Sequence, residues 1–304
     1  MISNNKLSGF VERCSGDYRP ITADIFLTDF CNAHCGYCRY NHETGKYIKF
    51  ENFVKYAQRL VTLGVKGFIL TGGGEPTINP DFEKIVNFLE ENKMPYGINT
   101  NLIKSIQCNP IFLKVSIDSG DVVRYKTIRG VDKLNIVLKN VASFIDYKKE
   151  NGLQTKIGVQ CVATNKDDVL SFYNVVKSLD VDYIYIRPLE QMGGCYNISK
   201  IDILQWLHGI NDDRINISFK FGLKEYRPYM CLANWSVITI NYDGNVPYCC
   251  HFPNNIVGNI MDKDILDKKA KYQIDMMKCE IPCRLSGANY YLEMNEIEKD
   301  AFFV

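Results

Sequence analysis

Three cysteines fall within eight residues of the stretch LTDFCNAHCGYCRYN, at Cys31, Cys35 and Cys38. Thiolates so spaced bind metal, and a cube of four irons ordinarily takes four of them. Three leave one iron without a protein ligand, and an open coordination position is where a metal centre receives substrate or cofactor. The residues alone leave two other readings: a zinc site completed by His34 or a distant residue, and three simply buried thiols. A second stretch, TGGGEPT at 71–77, places consecutive glycines where a ligand can lie against backbone N–H and C=O groups. Glu75 adds a negative charge suited to an ammonium. No lysine follows in the phosphate-loop pattern and GxGxxG is absent, so a nucleotide phosphate is not expected at this turn.

Both stretches must be delivered by a scaffold, and the flanking sequence alternates between two periods. ITADIFLT (21–28), VKGFILT (65–71), YGINTN (96–101), FLKVSID (112–118), KIGVQCVAT (156–164) and YIYIR (183–187) read as strands. Helical spacing of apolar residues separates them. A helix over about 50–63 stops at Gly64. A second has Asn79 as its N-cap and Pro80 at its first position, a third covers about 132–150, and a fourth carries Val169, Phe172, Val176 and Leu179. Strand–helix repetition implies parallel strands with right-handed crossovers. The expected fold is α/β: a partial (β/α)6 TIM-like barrel, with chemistry just past the carboxyl ends of the strands. Both special stretches occupy that position. After Arg187 come a loop, a short helix over Ile203–Leu207 and a strand over 217–221. Asp243-Gly244 then signals a hairpin within WSVITINYDGNVPYCC. The expected division is a barrel core over 1–222 and a small C-terminal β-hairpin-plus-helix domain over 223–304.

With these residues in place, the sequence resembles the radical SAM superfamily. CNAHCGYC matches its C-x3-C-x-aromatic-C motif, and Gly73-Gly74-Glu75 its GGE motif. The resemblance implies that Cys31, Cys35 and Cys38 hold a [4Fe–4S] cluster whose open iron is chelated by S-adenosylmethionine. It implies that Gly73, Gly74 and Glu75 receive the amino group and that Tyr37 lies near the adenine. It makes Ser116 and Asp118 candidates for the ribose and carboxylate, and Arg129 a candidate for the carboxylate. Asn165 and Arg187, ending two strands, are further candidates, each of which reads equally well as a cap or a surface charge. The implied chemistry is reductive cleavage of S-adenosylmethionine and hydrogen abstraction from substrate. An electron donor such as flavodoxin or ferredoxin is then a required partner.

Five more cysteines lie in the last quarter of the chain: Cys231, Cys249, Cys250, Cys279 and Cys283. The C-x12-G-x4-C element from Cys231 to Cys249 resembles the opening of SPASM and twitch domains, which implies one auxiliary [4Fe–4S] cluster on Cys231, Cys249, Cys279 and Cys283. Cys250 competes with Cys249 as a ligand. A zinc-stapled hairpin is the alternative. Cys250 or Cys195 could serve as a hydrogen-atom donor, against the commoner role of a small buried cysteine as packing. Cys14, Cys108 and Cys161 read as core or surface thiols.

The chain has 304 residues, a net charge of +1 and no basic run with interleaved aromatics, so neither a nucleic acid nor a membrane is an expected partner. DKDILDKKAKYQ (262–273) reads as a solvated helix face. Twelve cysteines without an export signal read as metal chemistry in the cytoplasm. The resemblance to auxiliary-cluster enzymes of the superfamily implies a ribosomally made peptide as substrate. The alternatives are an alcohol of a sugar or aminocyclitol, a nucleotide or polysaccharide precursor, and a non-enzymatic zinc-bound interaction protein.

Overall fold

A computed structural model describes residues 19–38, 40, 44–189, 198–217, 231–272, 279 and 289–290. Strands β1 (Thr22–Phe26), β2 (Gly67–Thr71), β3 (Tyr96–Thr100), β4 (Phe112–Ser116), β5 (Lys156–Ala163) and β6 (Tyr183–Pro188) lie side by side in chain order, all parallel. Helices α1 (Phe50–Thr62), α2 (Phe82–Glu91), α3 (Val122–Arg129), α4 (Leu134–Glu150) and α5 (Lys166–Val176) make the crossovers. The six-unit α/β expectation holds. Two further parallel strands extend it: β7 (Ile215–Ile217) joins β6 after the short helix α6 (Lys200–Trp206), and β8 (Val237–Ile240) joins β1 at the other edge.

The strands form because one face of each is aliphatic. Leu113 and Val115, Ile157, Val159 and Cys161, Ile184 and Ile186 are all fully buried and belong to the main core cluster. Period-two alternation turns the intervening residues to the inner, lumen face. There, Phe112, Lys114 and Ser116 stand on β4, Gly158, Gln160 and Val162 on β5, and Tyr183, Tyr185 and Arg187 on β6, aligned by register. Two glycines let large rings close the lower lumen. A Cβ at Gly97 would sit 2.1 Å from the Phe112 ring, and one at Gly158 would sit 1.9 Å from the Tyr183 ring.

Local readings shift in four places. The second crossover helix starts at Phe82 rather than Pro80, because the Asn79 amide is buried and donates to the carbonyls of Leu27 (3.0 Å) and Ile48 (3.1 Å). Asn79 therefore ties the end of β1 to the start of α1. Helix α3 was not legible from apolar periodicity. Its ends carry the signal: Asp121 accepts the Arg124 N–H (2.7 Å), and Gly130 closes the helix at φ 70°. The chain does turn at Asp243-Gly244, where Asn241 N–H donates to the Asn245 carbonyl (2.8 Å). The strand before that turn pairs with β1, however, and the antiparallel ladder joins β9 (Asn245–Pro247) to β10 (Ile256–Asn259). The strand VITI is buried throughout, and the main sheet supplies it with a parallel partner. Finally, helix α7 (Ile265–Lys271) is not wholly solvated: Lys269 is buried, donates to the Asn234 carbonyl (2.8 Å) and lies over the Tyr248 ring.

No helix among the described residues is long and apolar enough to cross a membrane. Because a side chain at Gly158 must displace an aromatic ring in a packed floor, Gly158→Ala is expected to lower stability by about 1–3 kcal/mol. Gly67→Ala, which meets only an ordinary contact at 3.8 Å, is expected to change it by less than about 0.5 kcal/mol. Urea denaturation of the two variants separates these outcomes.

Candidate active site

The cysteine loop leaves β1 and is held at both ends. Thr28 bridges to Tyr47 and donates to the Lys46 carbonyl (2.7 Å). Further on, His34 N–H donates to the Arg129 carbonyl (2.8 Å) and Gly36 N–H to the Ile128 carbonyl (3.1 Å). The last carbonyls of α3 are thus satisfied by the loop itself. Gly130 makes the approach possible: a Cβ there would lie 2.6 Å from the His34 carbonyl oxygen. Cys31 and Cys35 are half-buried and Cys38 is exposed. Burial pushes the Cys31 thiol up to about 12 and raises Cys35, while the Arg129 charge pulls both down. Such thiols stay protonated unless a metal displaces the proton.

The donor set fits an iron–sulfur group bound by three cysteines. Three thiols share one pinned loop, and Cys31 feels Cys35 as Cys35 feels Cys38. A buried guanidinium lies beside them, and the Asn101 amide donates to Cys31 Sγ at 3.8 Å. Among the described residues no three His, Cys, Asp or Glu side chains are placed to hold one metal ion.

Behind the loop is a buried ion pair. Asp118 Oδ2 accepts from Arg129 Nη1 (2.9 Å) and from the Tyr37 hydroxyl (2.5 Å), and Oδ1 accepts from Val162 N–H (2.8 Å). Asp118 is fully buried and sits at φ 73°, a left-handed conformation that costs a non-glycine residue about 1 kcal/mol or more. Burial opposes the Arg129 charge. Asp118 outweighs it, with help from Tyr37 and Cys35, so Arg129 stays well above its ordinary value. Burial, then the Asp118 charge, raises Tyr37. Arg129 Nε remains buried with no hydrogen-bond partner among the described residues.

The glycine stretch lies alongside. Gly74 N–H donates to the Thr28 carbonyl (2.9 Å) and Glu75 N–H to the Phe30 carbonyl (2.8 Å), so the two loops run as neighbours. A Cβ at Gly74 would lie 1.9 Å from the Phe30 oxygen and one at Gly72 would lie 1.6 Å from the Gly74 oxygen, whereas Gly73 meets only ordinary contacts. Glu75 turns inward. Its Oε1 accepts from Thr77 N–H (3.2 Å), Thr77 Oγ1 (2.7 Å) and Thr100 Oγ1 (2.5 Å), and its Oε2 from Asn101 N–H (2.7 Å). Burial raises its pKa in spite of these bonds. The carboxylate read as a partner for an ammonium is thus a buried tie between the glycine stretch and the end of β3.

Other candidates separate by position. Ser116 and Arg187 are half-buried on the lumen face of β4 and β6. Asn165 is a cap: its Oδ1 accepts the Asp168 N–H (2.9 Å) and its Nδ2 donates to Asp168 (2.7 Å), which also pairs with Arg124 through two bonds. Asn101, which touches Cys31, Asn32 and Glu75, was missed. Its signal was the polar NTN that ends the third strand.

The second thiol group is partly in view. Cys231, Cys249, Cys250 and Cys279 are all half-buried. Burial raises the Tyr248 phenol, followed by the Cys231 and Cys249 charges; an Asn234 hydrogen bond lowers it, and Cys279 adds a smaller upward push. Asn289 donates to Cys231 Sγ at 3.5 Å. The Tyr40 hydroxyl donates to the Cys250 carbonyl (2.8 Å), which brings this region against the segment just past Cys38. Cys283, Cys195 and Cys14 lie outside the described residues.

The parallel α/β partial barrel thus carries a three-thiol loop and a glycine stretch side by side at its strand ends. Residues 25–169 match the Radical SAM superfamily, so that stretch carries the superfamily's domain. A probable GTP 3′,8-cyclase of Saccharolobus islandicus (strain M.14.25) is 26% identical over 283 residues, covering 83% of this chain and 88% of the relative. A GTP 3′,8-cyclase of Staphylococcus saprophyticus is 27% identical over 192 residues, 57% of this chain and 55% of the relative. In structure, Streptococcus suis SuiB bound to S-adenosylmethionine superposes with a TM-score of 0.61 at 18% identity. That match covers 86% of this chain, which spans 66% of SuiB. The anSMEcpe structure with bound AdoMet gives 0.58 at 18% identity, over 84% of this chain and 80% of that one.

Removing the Asp118 charge leaves Arg129 buried without its counter-ion. Asp118→Asn is expected to cost about 3–5 kcal/mol of unfolding free energy, read by urea denaturation. Gly74→Ala is expected to lower iron uptake on anaerobic reconstitution, because the Phe30 backbone next to Cys31 must move, while Gly73→Ala retains it. Iron analysis of both proteins checks this.

Proposed function

We propose that Cys31, Cys35 and Cys38 hold a [4Fe–4S] cluster that binds S-adenosylmethionine, and that the bound pair supplies the radical that removes a hydrogen atom from substrate. The observation that carries this reading is the side-by-side pinning of the three-thiol loop and the glycine stretch, through Gly74 to Thr28 and Glu75 to Phe30, beside the buried Arg129. In this reading buried Gly73 and half-buried Gly74 offer their remaining backbone polar groups to the amino end of the cofactor. Arg129 places a fixed positive charge near its carboxylate, with Ser116 and Arg187 lining the lumen. Glu75, Asp118 and Asn165 act by holding other groups in place, and Tyr37 joins the loop to Asp118.

Cys231, Cys249, Cys279 and Cys283 hold a second [4Fe–4S] cluster, and the region from 223 onward is its twitch/SPASM-like domain. The half-burial of Cys231, Cys249 and Cys279, each of which acts on the charge state of Tyr248, supports it. Cys250, whose carbonyl accepts from Tyr40 in the segment after Cys38, is a candidate hydrogen donor, as is Cys195. The substrate is a ribosomally made peptide. A second reading, a phosphate-bearing nucleotide, is favoured by the GTP 3′,8-cyclase relative that spans most of both chains. Reducing equivalents come from a flavodoxin or ferredoxin.

Anaerobic reconstitution is expected to give about eight irons per chain, falling to about four in a Cys231→Ala, Cys249→Ala protein. Reduced protein with S-adenosylmethionine is expected to form 5′-deoxyadenosine slowly, and Cys35→Ala to form none. Formation at the wild-type rate by Cys35→Ala would overturn the assignment. Consumption of GTP with that product formed would decide for the nucleotide.

A further inference from the structure

The cysteine loop has an outward side, built against α3. Val123, Lys126, Thr127 and Gly130 are exposed and recur at i, i+3, i+4 and i+7, so they make one stripe along the outer face of that helix. Tyr125, Ile128 and Arg129 take the buried face. The stripe ends on the loop itself, because the carbonyls of Ile128 and Arg129 accept from Gly36 and His34, and both of those loop residues are exposed. Val123 is 74% exposed, the highest value among the large apolar side chains described. An apolar side chain gains from burial only when another surface covers it.

The same face carries charge of one sign. Past Gly130 the chain enters α4, where Lys133 and Ile136 are exposed one turn apart. One turn further, Asn140 donates to the carbonyls of Leu102 (2.9 Å) and Ile103 (3.1 Å), which seats exposed Lys104 beside this face. Asn101 returns that segment to the cysteine loop through Asn32 (2.8 Å) and Cys31 Sγ. Lys104, Lys126 and Lys133 make no ion pair among the described residues, whereas Lys148, Lys149 and Lys156 each pair with Asp180 or Asp182. The acids of 121–140 are Asp121, which accepts the Arg124 N–H as the cap of α3, and Asp132. Arg124 is paired with Asp168, so the lysines leave a positive surplus. Exposed lysines of this kind stay hydrated, and their field steers an acidic partner.

From the stripe and its charge we infer that His34, Val123, Lys126, Lys133 and Ile136 form the docking surface for an acidic one-electron carrier protein that reduces the group on the cysteine loop. The inference deepens the proposed function, since it rests on a redox cluster held by that loop. Electron transfer weakens steeply with distance, so the carrier must seat its redox group against the loop, and His34 and Gly36 are the loop residues exposed on this side. Isolated apolar side chains set among unpaired lysines suit a transient redox encounter, which buries less than about 1,200 Å² in total. Charge brings the carrier in quickly without holding it tightly, so it leaves after transfer. The carrier loses one electron and the cluster gains it; no bond forms or breaks.

The test uses cluster-loaded protein and two probes titrated separately, 15N-labelled oxidised flavodoxin and 15N-labelled oxidised ferredoxin. Affinity is read from the carrier's amide shifts at low and high salt. The rate of cluster reduction by each reduced carrier is read from bleaching of the cluster absorbance, as a ratio to the rate with dithionite. Wild type is expected to bind at least one carrier, more weakly at high salt. The Lys126→Glu, Lys133→Glu protein is expected to lose about tenfold or more in both affinity and that ratio. The Lys55→Glu, Lys66→Glu protein, with the same charge change at exposed positions on α1 and before β2, is expected to match wild type. The inference is overturned if wild type binds neither carrier, if the Lys126, Lys133 reversal binds and is reduced as wild type is, or if the control reversal weakens binding equally. Should the reversal fail to load iron, Lys126→Gln with Lys133→Gln decides on the same terms. If dithionite-reduced wild type forms no 5′-deoxyadenosine from S-adenosylmethionine while carrier binding is intact, the radical reading fails and the docking surface stands.

Discussion

One buried ion pair organises the strand-end face of this barrel. Asp118 and Arg129 meet at 2.9 Å out of solvent, and the Tyr37 hydroxyl completes the group. A desolvated pair contributes little net stability compared with apolar packing, but it fixes geometry strongly, because either charge left alone is expensive. The geometry it fixes is that of the cysteine loop. Tyr37 lies between Cys35 and Cys38, and the carbonyls of Ile128 and Arg129 hold the loop from the other side. The left-handed backbone of Asp118 and the close approach at Gly130 are local costs accepted for this arrangement.

The lumen is divided by the same economy of side chains. Its lower part is shut by two aromatic rings that need glycine on the adjacent strand, a jigsaw fit that a single methyl group disturbs. Its upper part is polar and carries Asn99, Lys114, Ser116, Gln160, Tyr185 and Arg187 on successive strands. The glycine stretch and cysteine loop rim one side of it, and the Tyr40–Cys250 contact brings the C-terminal region to the rim.

The sequence made the framework legible because strands and helices here obey their periods. Each of the six expected strands was found within two residues of its reading, and Gly64 ends α1 at φ 103° as a helix stop should. The thiol loop and glycine stretch were legible as chemistry because their residue types do little else at such spacing. What stayed hidden depended on partners distant in sequence. Glu75 reads as a free charge until Thr100 and Asn101 close over it. Asp118 reads as a ligand contact until Arg129 and Tyr37 are seen to consume it. The strand VITI carries a hairpin signal, but an open sheet edge at β1 competes for it and wins. Lys114 passed as one polar residue in a strand, since only the register reveals that it faces the lumen beside Asn99.

The central claim is that one iron of the loop-bound cluster is left for S-adenosylmethionine. The most direct measurement is the EPR spectrum of the reduced, iron-loaded protein with and without S-adenosylmethionine labelled with 15N at its amino group and 17O at its carboxylate. Hyperfine coupling from both labels, lost in Cys35→Ala, is what an open iron at this loop requires. A spectrum unchanged by the cofactor, with neither coupling present, would contradict it.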